Sequence, residues 1–259
     1  CLFEPERVTH RTEVPHCVAD QFGSSPGMAR PEFDARLDQL HHPLAEGIAA
    51  TLGLTLSAAE PKPQSIFDGR TLAGWEGSPQ SWSVEDGAIT GTIADGQRLA
   101  KNEFIYWRGE AGDFELTLEF RLSGAPSANS GIQFRSRRLP DGHATGYQAD
   151  MDGENNYTGI CYGENYRGIL AERGQKVVMG ADHKRKVIEQ FADSVELGKV
   201  IKKGDWNEYS IRAVGDQITL QLNGVTTVSY QEPDPQIART GIIALQVHSG
   251  GPLRVEFRK

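Results

Sequence analysis

The run Phe114-Glu-Leu-Thr-Leu-Glu-Phe-Arg-Leu122 constrains the fold more than any other part of the chain. Phe114, Leu116, Leu118, Phe120 and Leu122 take one side of an extended backbone, and Glu115, Thr117, Glu119 and Arg121 take the other. A period of two is that of a strand with one face on a core. Shorter segments of the same kind are read at Gly131 to Arg137, Gly146 to Met151, Glu208 to Val214, Gln217 to Leu222, Thr226 to Tyr230, Gly241 to His248 and Leu253 to Arg258. Gly, Asn, Asp and Pro bound them, and Asn223-Gly224 between Leu222 and Val225 is a two-residue hairpin signal. The pattern predicts an all-β antiparallel sandwich from about residue 61 to 259.

Hydrophobic residues make up 38% of the 259, enough for a core and against overall disorder. Lys and Arg number 27 against 35 Asp and Glu, a net charge of -8 that repels a polyphosphate, so no nucleic-acid partner is expected. No stretch of about 18 apolar residues would make a transmembrane helix. Cys1, Cys17 and Cys161 form no CxxC or Cys/His cluster, so neither a zinc site nor a disulfide framework is indicated. Signatures for dinucleotides, P-loops, zinc proteases and serine hydrolases are missing.

Residues 1–60 read as an irregular N-terminal extension with a short helix within Pro31 to Leu44. Ile48 to Ala59 has the length of a signal-peptide apolar region but no charged segment before it; a degraded export signal and an ordinary packed helix both fit. A sequence opening on Cys1 is expected of a fragment or a processed product. From Asn165 to Lys203 the alternation breaks off into a charged excursion, with one short helix expected within Asp193 to Ile201. Such a length is either functional or solvated decoration.

Several strands carry polar pairs at i and i+2, which puts both members on one side of a sheet. These are Glu119 with Arg121, Gln133 with Arg135, Gln148 with Asp150, and Gln246 with His248. If their strands are neighbours, one face is lined with carboxylates, guanidinium groups, amides and an imidazole. Planar hydrogen-bonding groups without lysine suit the vicinal hydroxyls of a sugar, and Tyr147, Tyr162, Trp107 and Tyr106 are available for stacking on its ring. Trp75, Trp82 and Trp206 sit beside turn residues and read as core or corner aromatics.

With these residues in view, the sequence resembles the 3-keto-disaccharide hydrolase domain family, a concanavalin-like jelly-roll β-sandwich. The resemblance runs from Ser65 to the C-terminus. It is carried by Phe67-Asp-Gly69 with Leu72-Ala-Gly-Trp75, Trp82-Ser-Val-Glu-Asp-Gly87, Asn129-Ser-Gly-Ile132 with Phe134-Arg135, Gly146-Tyr-Gln148, Arg167-Gly-Ile-Leu170, Trp206-Asn-Glu-Tyr209 and Gly241-Ile-Ile-Ala-Leu-Gln246 with His248. Gln148 stands where many members have Glu, which leaves Asp150 as the carboxylate nearest that place.

The resemblance implies a bacterial hydrolase of 3-keto-disaccharides or other 3-keto-glycosides, periplasmic or extracellular. A C3 ketone makes the C2 proton acidic, so elimination and hydration at C1 and C2 is the expected route. It needs a base near C2, an acid at the leaving oxygen and a donor at the enolate oxygen. His248 is the expected base and Glu119 or Asp150 the acid. Arg121 and Arg135 would serve the enolate oxygen, with Gln133, Gln148, Gln246, Asn129, Tyr147, Tyr162 and Arg167 as substrate-binding candidates. Direct displacement by Glu119 and Asp150 remains an alternative. No cofactor is required, and a divalent metal on His248 with Asp150 or Glu119 stays open. A non-catalytic carbohydrate-binding module is the alternative function.

Overall fold

In the computed structural model, residues 63–259 are described, so the expectations for the N-terminal extension lie outside the described residues. Within them the all-β sandwich is the architecture found, as two sheets of seven and nine strands. The smaller sheet runs β1 (Trp75–Glu76), β4 (Glu103–Trp107), β15 (Ile242–Val247), β6 (Asn129–Arg138), β7 (Ala144–Asp152), β8 (Cys161–Glu164) and β9 (Gly168–Ala171). The larger runs β11 (Arg185–Gln190), β10 (Gln175–Met179), β14 (Val225–Gln231), β13 (Gln217–Leu222), β12 (Asn207–Val214), β5 (Phe114–Gly124), β16 (Leu253–Arg258), β3 (Ala88–Ile93) and β2 (Trp82–Glu85).

The apolar side of each alternating strand faces the other sheet. Leu118, Phe120, Tyr209, Leu220 and Phe257 of the larger sheet form one core with Ile132, Phe134, Ala149, Met151 and Leu245 of the smaller. Phe134 stacks on Tyr147 at 5.7 Å, and Tyr147 meets Tyr230 of the other sheet edge-on at 6.0 Å. At Asn223 and Gly224 φ is 49° and 78°, and Leu222 pairs with Val225 across them. Both central residues are left-handed, which is the two-residue hairpin expected from Asn-Gly.

The charged excursion is more ordered than its sequence suggested. It holds β9, β10 and β11 besides the short helix α1 (Ser194–Gly198), whose first turn is capped by Asp193 accepting from the Val195 and Glu196 N–H groups. β11 is exposed along its whole length and pairs only with β10. An edge strand with Lys, Arg and Glu outward resists further pairing, and that composition hid its extended backbone.

One irregularity shapes the outer side of the smaller sheet. The register between β6 and β7 shifts between Phe134 and Arg137, and Arg135 takes a φ of 44°. A bulge of this kind bends the hairpin that follows it. Ala144, beside the hairpin turn, packs on Phe104, Tyr106 and Ala244, and the Tyr106 hydroxyl donates to the Gly142 carbonyl at 3.0 Å. The hairpin thus folds back over its own sheet.

Candidate functional site

The sheet order separates the expected polar strands. β15, β6 and β7 are adjacent, so Gln246, Gln133, Gln148 and Asp150 share the outer face of the smaller sheet. β5 belongs to the other sheet, so Glu119 and Arg121 lie on the far side of the sandwich and join neither His248 nor Asp150. There Glu119 accepts from Arg258 at 2.7 Å, and Arg121 pairs with buried Glu256 at 2.7 Å while lying 4.7 Å over the Trp206 ring. Alternation gave the correct face of β5, but it carries no information on which sheet a strand enters.

Three more expected residues lie elsewhere. The bulge turns Arg135 out of line with Gln133, and its guanidinium donates to the Gly112 and Gly215 carbonyls and pairs with Asp113 at 2.9 Å. Tyr147 is in the core, on the same side of β7 as Ala149 and Met151. Arg167, in the turn after β8, pairs with Glu232 at 2.7 Å, bonds His183 and covers the Tyr166 ring. Each has a structural post.

What remains forms a hydrogen-bonded row. Ser136 donates to the side-chain oxygen Oε1 of Gln133 at 2.9 Å, the Gln133 amide N–H donates to Gln148, and Gln148 donates to Asp150 Oδ1 at 3.3 Å. Asn129 reaches the same oxygen at 3.4 Å. Gly131 makes room for this row, because a Cβ there would run into the Gln148 side chain. Tyr162 is paired with Gln148 on the next strand and so lies on the same face.

Burial pushes the Asp150 carboxyl up to about 8, with Asp152 adding to the rise and the Met151 N–H opposing it. The folded protein therefore holds a proton that the unfolded chain releases near 3.8. The stability this proton confers is complete at low pH and is lost as the pH climbs through about 8. Asp150→Asn keeps a neutral hydrogen-bonding group at every pH. In urea titrations its stability relative to wild type should rise between pH 5 and pH 9 by at least about 1.4 kcal/mol, the worth of one pKa unit. An unchanged difference would show that Asp150 is ionised at neutrality.

The second cluster contains a residue the sequence reading passed over. Glu164 ends β8 opposite Gly146, and the Asn102 side-chain N–H donates to Glu164 Oε1 at 3.2 Å. The Asn102 carbonyl oxygen accepts from the Ser249 N–H at 2.8 Å, which ties Glu164 to the segment bearing His248. Burial raises the Glu164 carboxyl above the ordinary glutamate value, against the Asn102 bond and the nearby His248 and His143. His248 Nδ1 lies 2.8 Å from the Ser249 carbonyl, a contact that a protonated Nδ1 makes, and in the neutral ring this tautomer leaves the lone pair on Nε2. Glu164 stands two residues beyond Tyr162 on β8 and so shares the face of Tyr162 and Gln148; a four-residue strand is too short for that alternation to stand out in the sequence.

Gln246 completes the cluster. Its side chain is fully buried; neither its oxygen nor its nitrogen has a partner of good hydrogen-bond geometry among the described residues, and its amide lies near enough to Glu164 to oppose the rise of that carboxyl. An unpaired buried polar group costs roughly 1–3 kcal/mol. Among the described residues no three His, Cys, Asp or Glu side chains are placed to hold a metal, and Glu119 is out of reach of such a set. No helix among them is long and apolar enough to cross a membrane.

A protein-family model described as a 3-keto-alpha-glucoside-1,2-lyase-like domain matches residues 62–259. Among solved structures, the chain is similar to a "putative glycosyl hydrolase" from Parabacteroides distasonis ATCC 8503, with 22% identity and a TM-score of 0.50 over 73% of this chain and 92% of that one. A second such protein from the same organism is 18% identical, with a TM-score of 0.49 over 75% and 89% of the two chains. The carbohydrate-binding module CBM66 from Bacillus subtilis is 14% identical, with a TM-score of 0.47 over 72% and 92%. No curated protein matches the chain.

Proposed function

The chain belongs to the 3-keto-alpha-glucoside-1,2-lyase-like domain family, and on that premise we propose that it cleaves 3-keto-glucosides by elimination across C1 and C2. His248 Nε2 takes the C2 proton, and the electron pair moves into an enolate whose charge sits on the C3 oxygen. The N–H of Gln246, which a side-chain rotation would bring out of its buried position beside Glu164, is assigned as the donor to that oxygen. As the carbonyl re-forms, a C1–C2 double bond closes and the C1–oxygen bond breaks, with Glu164 giving its proton to the leaving oxygen. Water then adds across the double bond, its hydrogen going to C2 and its hydroxyl to C1, so the net result is hydrolysis to a 3-keto sugar. The protonated imidazole resets the glutamate through solvent.

The observation that supports this reading is that Asn102 and the Ser249 N–H tie a buried carboxyl with raised proton affinity to the segment whose imidazole, His248, lies close to it with Nδ1 engaged by the Ser249 carbonyl. A module that only holds sugars has no use for that pairing. The test is product formation from 3-keto-trehalose and methyl 3-keto-α-glucoside beside their unoxidised parents, in D2O, with and without chelator. Release of 3-ketoglucose from the oxidised substrates alone, with deuterium at C2, is expected. Equal turnover of the unoxidised parents would point to direct displacement, and loss under chelator would add a metal to the site. Sugar binding without turnover would leave a carbohydrate-binding module.

A further inference from the structure

A cleft of about 360 Å³ opens between β1, β4 and the β6–β7 hairpin, and it shares Asn102 with the site just described. That volume lies within the range of about 300–1,000 Å³ usual for small-molecule sites. We propose that it is the subsite for the leaving group, and that it takes a second sugar ring rather than an aromatic aglycone. The proposal rests on the elimination reading, because it is Glu164 that fixes which side the leaving group takes. The oxygen that Glu164 protonates must lie next to its carboxyl, and that carboxyl is held by Asn102, where the cleft begins.

The lining decides the chemistry. Phe104 and Tyr106 form an apolar floor with their rings 5.9 Å apart. Arg138 already lies 4.9 Å over the Tyr106 ring and pairs with Glu76 at 2.6 Å, so that aromatic face is covered against a flat aglycone. Around the floor stand Lys101, whose ammonium donates to the Asp141 carbonyl at 3.0 Å, and Glu103, which accepts from the Ser81 hydroxyl at 2.5 Å. An ammonium has three donors, a guanidinium five and a carboxylate about four acceptor positions, so each retains capacity for a ligand. Cations and carboxylates interleaved on one rim suit a neutral ring of hydroxyls, whereas a phosphate or uronate would meet like charge.

Lys101 and Arg138 are exposed, so their alanine variants leave the core intact. Kinetics of Lys101→Ala and Arg138→Ala on 3-keto-trehalose should show KM raised about ten-fold, the effect of one charge-assisted hydrogen bond. Their kcat/KM on methyl 3-keto-α-glucoside, which has no second ring, should match wild type. Equal losses on both substrates, or none on either, would overturn the subsite. If the wild type turns over neither substrate, the elimination reading fails by itself, and calorimetric titration with trehalose and methyl α-glucoside decides the rest. Trehalose binding weakened by the two variants, with methyl α-glucoside binding unchanged, would support the subsite as a sugar site; any other binding result would remove it.

Discussion

His248→Ala should lower turnover of 3-keto-glucosides by about a hundred- to ten-thousand-fold, the usual contribution of a positioned base, while leaving substrate binding nearly unchanged. The imidazole is held by a single bond from Nδ1 to the Ser249 carbonyl, so its removal unties no network. Exchange of the C2 proton with solvent, followed by NMR on a slow substrate, should stop in the variant, and added imidazole should restore part of it. Asp150 is the competing base. Its Oδ1 already accepts from Met151, Gln148 and Asn129, and burial keeps it protonated to about pH 8, so at neutrality it has little capacity to take a proton. Asp150→Asn is accordingly expected to cost far less turnover than His248→Ala. The reverse order would transfer the role of base to Asp150 and leave His248 as a binding residue.

The local rules were sufficient for most strands because a half-buried strand has to alternate. β13 and β16 occupy the residues expected of them, Gln217–Leu222 and Leu253–Arg258, and the Asn223-Gly224 turn has the dihedral angles its sequence demands. Alternation also placed Gln133, Gln148, Asp150 and Gln246 on one face. It went no further, because sheet membership is a long-range property. Glu119 and Glu164 show the two sides of this limit. Glu119 stands in the most regular strand of the chain and lies on the other sheet, while Glu164 ends a four-residue strand and reaches the site because β8 pairs with β7, which places it on the face of Tyr162 and Gln148. The bulge in β6 explains Arg135, since an extra residue breaks the period of two on which its assignment depended. For Tyr147 the information was present, because it alternates with Gln148 and so belongs with Ala149 in the core.

The leaving-group dependence of Glu164→Gln separates acid catalysis from simple binding. Glutamine keeps a carbonyl oxygen for the Asn102 N–H, so the bridge to Ser249 survives and folding should be unaffected. What disappears is the transferable proton. On 3-keto-trehalose, whose departing alkoxide is strongly basic, turnover should fall by about a hundred-fold or more. On a 3-keto-glucoside of p-nitrophenol, whose anion leaves unaided, the loss should stay within about ten-fold because acid assistance matters less there. The pH profile carries the same information. Because burial raises the Glu164 carboxyl, its acid form persists to higher pH than an ordinary glutamate's, and wild-type turnover of the disaccharide should decline as the pH rises through that elevated value. In Glu164→Gln that decline should be absent. A variant that loses equal activity on both leaving groups and keeps the alkaline decline would place the proton donor elsewhere, and would reduce Glu164 to a partner that fixes Asn102.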